Sequence, residues 1–252
     1  METKKILVAD KIAQKGIAML EAEAQFEVDV SIGLGEAEIC ERVVDADAIV
    51  VRSVTQVTDK VIESGRRLKV IGRAGIGVDN INVQCATERG IVVLNTPDAN
   101  ATTTAELAIA HILSLSRHLP NADASVRAGE WKRAKFVGAE VARKTLGVVG
   151  YGTIGRIVAS RALGLKLRVI AHDPYVSPGV FEQEGVESAE LDKLIAESDY
   201  ISLHCPVTDA TRNLLSAERL ATVKPGARII NCARGGLIDE QALYEALEQG
   251  RL

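Results

Sequence analysis

Residues 145–174 read TLGVVGYGTIGRIVASRALGLKLRVIAHDP, and the fold is decided in this run. Residues 146–149 are an apolar stretch of strand length, and Gly150, Gly152 and Gly155 follow as G-x-G-x-x-G. Residues 154–163 then carry apolar side chains at helical spacing, and 167–171 form a second apolar strand. The three glycines serve different ends. Gly150 makes the tight turn, Gly152 lets a pyrophosphate approach the backbone, and Gly155 brings the helix close to the strand. Free N–H groups at the helix start, around Thr153 and Ile154, face such a phosphate. Asp173, 18 residues past Gly155 at the end of the second strand, is placed to accept hydrogen bonds from the adenosine ribose. Its charge favours NAD and repels the extra phosphate of NADP. Any glycine-rich turn can produce the bare motif; strand before, helix after and acid at this distance make it a dinucleotide site.

Outward from this unit, strand and helix patterns alternate along the whole chain. KILVAD, FEVDVS, AIVVRS, LKVIGRAG and IVVLNTP read as five strands before Pro97, with helices expected at 13–23, 36–44, 58–64 and 83–89. Such alternation specifies an α/β fold with parallel sheets covered by helices on both faces. Gly33-Leu34-Gly35 lacks a third glycine and a strongly apolar helix, so it reads as a turn and not a phosphate loop. A long helix is expected over 101–118, capped by threonines, with an apolar face too wide for a surface helix; it joins two domains and packs between them. A second helix pattern follows in NADASVRAGEW, then the basic segment KRAKF. Beyond residue 174 the strands are 200–205 and 227–234, and a last helix covers 239–249. In the strand order 3-2-1-4-5-6 that helix would cross to a further strand, and none follows before Leu252. The expected organisation is therefore two doubly wound domains. Residues 1–98 form a flavodoxin-like substrate domain, and residues 99–252 form a Rossmann NAD-binding domain incomplete at its C-terminus.

Composition removes other classes. A net charge of −4 and 3% aromatic residues give neither a basic footprint nor a stacking platform for nucleic acid. No apolar run reaches membrane-spanning length, and the residues after Met1 do not resemble a signal peptide, which points to the cytosol. Cys40, Cys85, Cys205 and Cys232 lack C-x-x-C spacing, so reduced thiols are expected and a metal site is not.

Ligands of such sheets sit beyond the carboxyl ends of the strands. Arg52 and Arg73 end two strands on one rim, where two guanidiniums suit a phosphate or carboxylate; the alternative is a pair of solvated arginines. Gly75, Ile76 and Gly77 follow Arg73, and their turn either offers N–H groups to an anion or is a plain turn. Arg234, after a strand of the second domain, suits the carboxylate and carbonyl of a 2-oxo or 2-hydroxy acid. His111 and His118 read as packing or surface residues. His204 ends a strand and reads as a cofactor-lining residue more than a general base, since no neighbouring carboxylate orients its ring.

The motifs VRSVT at 51–55, GRAGIGVDN at 72–80, NTP at 95–97, AEL at 105–107, GYGTIG at 150–155, HCPVT at 204–208 and NCARGGLID at 231–239 closely resemble those of the D-isomer-specific 2-hydroxyacid dehydrogenases. The resemblance covers the whole chain. It implies NAD-dependent oxidation, most specifically of 3-phosphoglycerate to 3-phosphohydroxypyruvate, the entry step of serine synthesis. It further implies that Gly150, Gly152, Thr153, Ile154, Gly155, Asp173 and Pro174 hold the cofactor, with His204, Pro206 and Thr208 near the adenosine side and Cys232 and Ala233 near the nicotinamide. Arg234 matches the catalytic arginine. Arg52, Arg73, Gly75, Ile76 and Gly77 match substrate contacts, and Arg133 a residue presented to a neighbouring subunit. Homodimers or homotetramers built on the nucleotide domain are implied as well.

The same resemblance implies that the family's catalytic glutamate and histidine would fall after Leu252, so that this chain alone binds NAD with little turnover. Two alternatives stay open. One is another D-2-hydroxyacid dehydrogenase, a glyoxylate or hydroxypyruvate reductase. The other is a non-catalytic NAD-sensing scaffold of the corepressor type, which the fold also supports.

Overall fold

A computed structural model describes residues 3–97 and 99–252. The chain divides into two compact units, Met1–Asn100 and Ala101–Leu252.

The first unit is a parallel five-stranded sheet of β1 (Lys4–Val8), β2 (Phe26–Val30), β3 (Ala48–Val51), β4 (Val70–Arg73) and β5 (Val92–Asn95), in the order β2-β1-β3-β4-β5. This is the flavodoxin-like order. The crossovers are α1 (Gln14–Glu21), α2 (Glu36–Val43), α3 (Asp59–Ser64) and α4 (Val83–Glu88). Their starts are local chemistry: Thr58 accepts from the Val61 N–H and Asn82 from the Cys85 N–H, satisfying donors that a helix leaves open. Leu7, Ile49, Val51, Val61, Ile62 and Ile71 are fully buried between sheet and helices. Gly33 lies in a turn with φ +77. The Gly35 N–H is taken by the Glu38 carboxylate at 2.8 Å, so this turn already holds an anion of its own.

The second unit opens with α5 (Ala101–Arg117) and α6 (Leu119–Arg127), then a 3-10 turn over Arg133–Phe136. Its sheet comprises β6 (Thr145–Val149), β7 (Arg168–His172), β8 (Glu187–Ser188), β9 (Tyr200–Leu203) and β10 (Arg228–Asn231), in the order β10-β9-β6-β7-β8 and parallel throughout. Counted from β6 this is the Rossmann order 3-2-1-4-5. The helices are α7 (Thr153–Gly164), α8 (Pro178–Gln183), α9 (Leu191–Glu197), α10 (Ala217–Leu220) and α11 (Glu240–Glu248). β6 is central and buried along its whole length, as expected of a strand covered on both faces.

Three expectations about elements need correction. β8 is an additional strand; two residues, Glu187 and Ser188, both exposed, carry no hydrophobic alternation from which to read it. Thr102, Thr103 and Thr104 lie inside the first turn of α5 and not ahead of it. The wide apolar face of α5 is buried only in part: Ala105, Ala108 and Ile112 face the core of the second unit, while Leu107 and Leu115 are exposed.

Candidate functional site

All strands of the second sheet run the same way, so their carboxyl ends form one rim. Along it stand the 232–234 loop after β10, His204 after β9, Gly150 after β6 and Asp173 after β7. The chain leaves β6 towards β7 on one side and meets β9 on the other, which makes the β6/β9 boundary the topological switch point.

The three glycines have distinct physical reasons. Gly150 has φ +89, and a Cβ there would fall 2.7 Å from the His204 carbonyl carbon and 2.8 Å from the Cys205 nitrogen. The loops after β6 and β9 therefore touch backbone to backbone, a distance no side chain allows. A Cβ on Gly155 would fall 2.1 Å from the Gly150 oxygen, so α7 rises directly from the turn. Gly152 is different. Its φ is −79, open to any residue, and a Cβ there would meet no protein atom within 4 Å. Nothing inside the protein requires glycine at 152, and the backbone there is open to whatever lies on the turn. Thr153 and the exposed side of Ile154 follow at the start of the 12-residue α7, where first-turn N–H groups and the helix dipole favour a phosphate.

The Asp173 carboxylate accepts from the Tyr151 N–H at 2.7 Å through Oδ2 and from the Tyr175 N–H at 2.9 Å through Oδ1. It stands against the glycine turn with its orientation fixed and further lone pairs available for ribose hydroxyls. Pro174 beside it is exposed. The loop after β9 passes close by: burial pushes the Cys205 thiol up and the Asp173 charge adds to the effect. Pro206 and Thr208 continue this loop. It is held by Thr211, whose hydroxyl donates to the Pro206 carbonyl and accepts from the Thr208 N–H, each at 2.7 Å.

The His204 backbone N–H donates to the Val149 carbonyl at 2.7 Å, and its ring Nε2 lies 2.8 Å from the Ser202 hydroxyl. Burial pushes its pKa down to about 4. The ring is neutral at pH 7, and its partner is a hydroxyl. After β10, the Asn231 side chain accepts from the Ala233 N–H at 3.0 Å and donates to the Arg234 carbonyl at 2.8 Å. It shapes the turn that presents Arg234, whose Nη1 donates to the Ala233 carbonyl. Cys232 is half-buried and its thiol is pushed up by burial.

In the first unit, Val51 is paired with Arg73, so Arg52 follows directly on the neighbour of Arg73, about 4.8 Å away in the strand-spacing direction. Asp10, at the end of β1 and 5% exposed, accepts from the Arg52 N–H at 2.6 Å and from the Thr55 hydroxyl at 2.8 Å. Asn80 donates to the Arg52 and Thr55 carbonyls at 2.8 and 2.6 Å. The Arg52 backbone is thus gripped from both sides. The Arg73 guanidinium lies on Gly75, where a Cβ would sit 1.6 Å from its Nη1; any side chain at 75 would expel it. Asn95 donates to the Ile76 carbonyl at 2.7 Å and holds the 75–77 turn against the end of β5. Asp10 lies outside every motif, and Asn80 and Asn231, though they stand inside the motifs at 72–80 and 231–239, carry no signal of these roles, because short polar residues at strand ends are common in any loop. Arg133 is exposed on the 3-10 turn. Among the described residues no cluster of three or more His, Cys, Asp or Glu is arranged to hold a metal.

Fold, switch point and glycine turn together define a two-unit dinucleotide-binding protein of the doubly wound class. Residues 109–252 match the family model described as D-isomer specific 2-hydroxyacid dehydrogenase, NAD binding domain. The chain belongs to that family, and its second unit carries the NAD-binding domain. Among curated proteins it is 50% identical over 248 residues to D-3-phosphoglycerate dehydrogenase of Synechocystis, covering 98% of this chain and 44% of that protein. It is 48% identical over 249 residues to D-3-phosphoglycerate dehydrogenase of Methanocaldococcus jannaschii, covering 98% and 47%. The chain thus spans about half the length of the curated relatives it matches. Among solved structures, D-lactate dehydrogenase from Aquifex aeolicus complexed with NAD and lactic acid superposes with a TM-score of 0.90 at 28% identity, covering 99% of this chain and 74% of that one. A Thermus thermophilus protein does so with 0.87 at 35% identity, covering 97% and 78%.

Proposed function

We propose that these 252 residues supply the substrate-binding and NAD-binding parts of a D-3-phosphoglycerate dehydrogenase, which oxidises 3-phosphoglycerate to 3-phosphohydroxypyruvate at the entry to serine synthesis. NAD supplies the hydride acceptor. The bare turn at Gly152 and the fixed carboxylate of Asp173 fit it: Gly150, Gly152, Thr153, Ile154 and Gly155 hold the pyrophosphate, and Asp173 and Pro174 the adenosine ribose. His204, Pro206 and Thr208 line the adenosine side, and Cys232 and Ala233 the nicotinamide side. Arg234 binds the substrate carboxylate and polarises the carbon that becomes a carbonyl. His204 is no general base, because a ring with a pKa near 4 is too weak to take a hydroxyl proton at pH 7.

The observation that carries the choice of substrate is the register of β3 on β4, which brings Arg52 and Arg73 to adjacent positions on one rim. We assign the substrate's phosphate to this pair, together with the N–H groups of the Gly75, Ile76 and Gly77 turn. The names of the relatives support the same choice. Each charge-assisted bond to a phosphate is worth about 1.5–3 kcal/mol. In the longer protein, Arg52→Ala or Arg73→Ala should therefore lower kcat/KM for 3-phosphoglycerate tenfold or more, with a much smaller change for an unphosphorylated 2-hydroxy acid. Equal losses on both substrates would remove the phosphate assignment.

The protein acts as a homodimer or homotetramer in the cytoplasm. The exposed apolar side chains of α5, α6 and the segment after them support the first statement, with Arg133 reaching a neighbouring subunit. Four free cysteines suit the reducing compartment of the second. Among the described residues no helix is long and apolar enough to cross a membrane.

A further inference from the structure

The residue between the first two glycines of the turn is Tyr151. It is 1% exposed, although Gly152 beside it is open to solvent. Its ring packs on Phe181 with centroids 4.7 Å apart, and its hydroxyl donates to Glu184 Oε2 at 2.8 Å. Phe181 lies in α8 and Glu184 caps its C-terminus three residues on, so the end of that helix supplies both contacts. Arg156, on the first turn of α7, pairs with the other Glu184 oxygen. At its backbone, the same tyrosine donates to Asp173.

Tyr151 thus fastens the β6–α7 turn to the β7–α8 crossover at two places, through its backbone to Asp173 and through its hydroxyl to Glu184. A dinucleotide bound as proposed above spans the same two elements, its pyrophosphate on the turn and its ribose on Asp173. We propose that Tyr151 and Glu184 are positioning residues for the dinucleotide: their hydrogen bond fixes the offset between the glycine turn and Asp173 and so pre-forms the site. The geometry favours this over packing alone. A core position filled for volume would take phenylalanine, which leaves no buried hydroxyl to satisfy; here a carboxylate is brought to the hydroxyl and is itself held by an arginine from the helix that starts at the turn. Burial and the Glu184 charge both keep the phenol protonated, so it remains the donor across the physiological range. The contribution to affinity is that of preorganisation, because a turn already in register loses less freedom when the ligand binds.

The inference rests on the assignment of the NAD ribose to Asp173, and the test separates the two. NAD affinity is measured by titration calorimetry on the 252-residue chain for the unaltered protein, Tyr151→Phe, Asp173→Asn and the double variant. Tyr151→Phe should weaken NAD binding roughly three- to tenfold, the effect of one hydrogen bond. The double variant should bind within about twofold of Asp173→Asn alone, since the tyrosine acts through the placement of that carboxylate. Glu184→Gln, whose amide oxygen still accepts the hydroxyl, should stay within about twofold of the unaltered chain, and Glu184→Ala should match Tyr151→Phe. A merely structural role would lower the melting temperature without producing this coupling. Tyr151→Phe within twofold of the unaltered chain, or losses that simply add in the double variant, overturns the positioning role and leaves the NAD site intact. An Asp173→Asn variant with unchanged NAD affinity overturns the ribose assignment, and the positioning role with it.

Discussion

Gly152 and Gly155 stand three residues apart and are glycine for opposite reasons, which substitution can separate. An alanine at 155 would drive its Cβ into the Gly150 carbonyl, backbone against backbone. Gly155→Ala should therefore destabilise the second unit by about 1–3 kcal/mol, the usual cost of overpacking. An alanine at 152 meets no protein atom at an ordinary φ and loses only glycine's advantage over alanine at the cap of α7, so stability should fall by no more than about 1 kcal/mol. NAD affinity, in contrast, should fall tenfold or more, because the new methyl occupies the place assigned to the pyrophosphate. Urea unfolding beside calorimetric titration gives both numbers, and unchanged NAD affinity in Gly152→Ala would sink the reading of this turn. His204 makes a second claim at the same scale. Its folded pKa of about 4 lies below the unfolded value near 6.5, so between these limits the unfolded chain binds the extra proton. The stability due to the neutral ring is complete above pH 6.5 and is lost as the pH falls towards 4, on the order of 1–3 kcal/mol in all. Denaturant unfolding at pH 7 and pH 4.5 should show a smaller difference in His204→Gln than in the unaltered chain. An equal difference would mean that this histidine does not titrate in that window.

At the scale of elements, the β6–α7–β7 unit is legible in the sequence because several independent signals coincide: an apolar strand, three glycines, helical spacing and an acid at the end of the next strand. Strands β1 to β5 are legible from alternation, and the pairing of Val51 with Arg73 makes concrete a neighbourhood of Arg52 and Arg73 that sequence order only suggests. β8 is not legible, since two exposed residues held by backbone pairing leave no pattern in the side chains. Nor are Asp10, Asn80 and Glu184, whose partners lie 45, 28 and 33 residues away in the chain; only folding brings them together. The sequence of α5 suggests a wide buried face, yet Leu107 and Leu115 remain exposed, as do Leu119 and Val126 on α6 and Trp131 and Val137 beyond it. So many large apolar side chains exposed on consecutive elements suit an interaction surface, and a second copy of the chain is the proposed cover. Leu119→Asp combined with Val126→Asp should reduce the mass seen by light scattering to that of a monomer while NAD affinity changes less than about twofold. A monomeric unaltered chain, or a double variant of unchanged mass, would refute the oligomer assigned to this face.

At the scale of the whole molecule, the question is how much of a dehydrogenase these residues contain. The chain matches 44–47% of the length of its Synechocystis and M. jannaschii relatives at 50 and 48% identity, so binding and turnover must be judged separately. Binding is well furnished: the glycine turn, Asp173 and the rim after β9 and β10 belong to one continuous unit with its own core. Proton transfer is less well served by the described residues of that rim. Oxidation of a hydroxyl needs a group to accept its proton, best with a pKa near the working pH. His204, at the end of β9, is buried against Ser202 with its basicity suppressed, and Arg234 is a permanent cation that can orient and polarise but not accept a proton. General base catalysis contributes about a hundred- to ten-thousand-fold. The 252-residue chain should therefore bind NAD in preference to NADP yet oxidise 3-phosphoglycerate at least about a hundredfold more slowly than a longer protein carrying the same residues. Production of NADH by both, followed at 3-phosphoglycerate and NAD concentrations that saturate each, tests this directly. Comparable rates, abolished by His204→Gln, would make His204 the base after all and would require its low basicity to be relieved when the site fills.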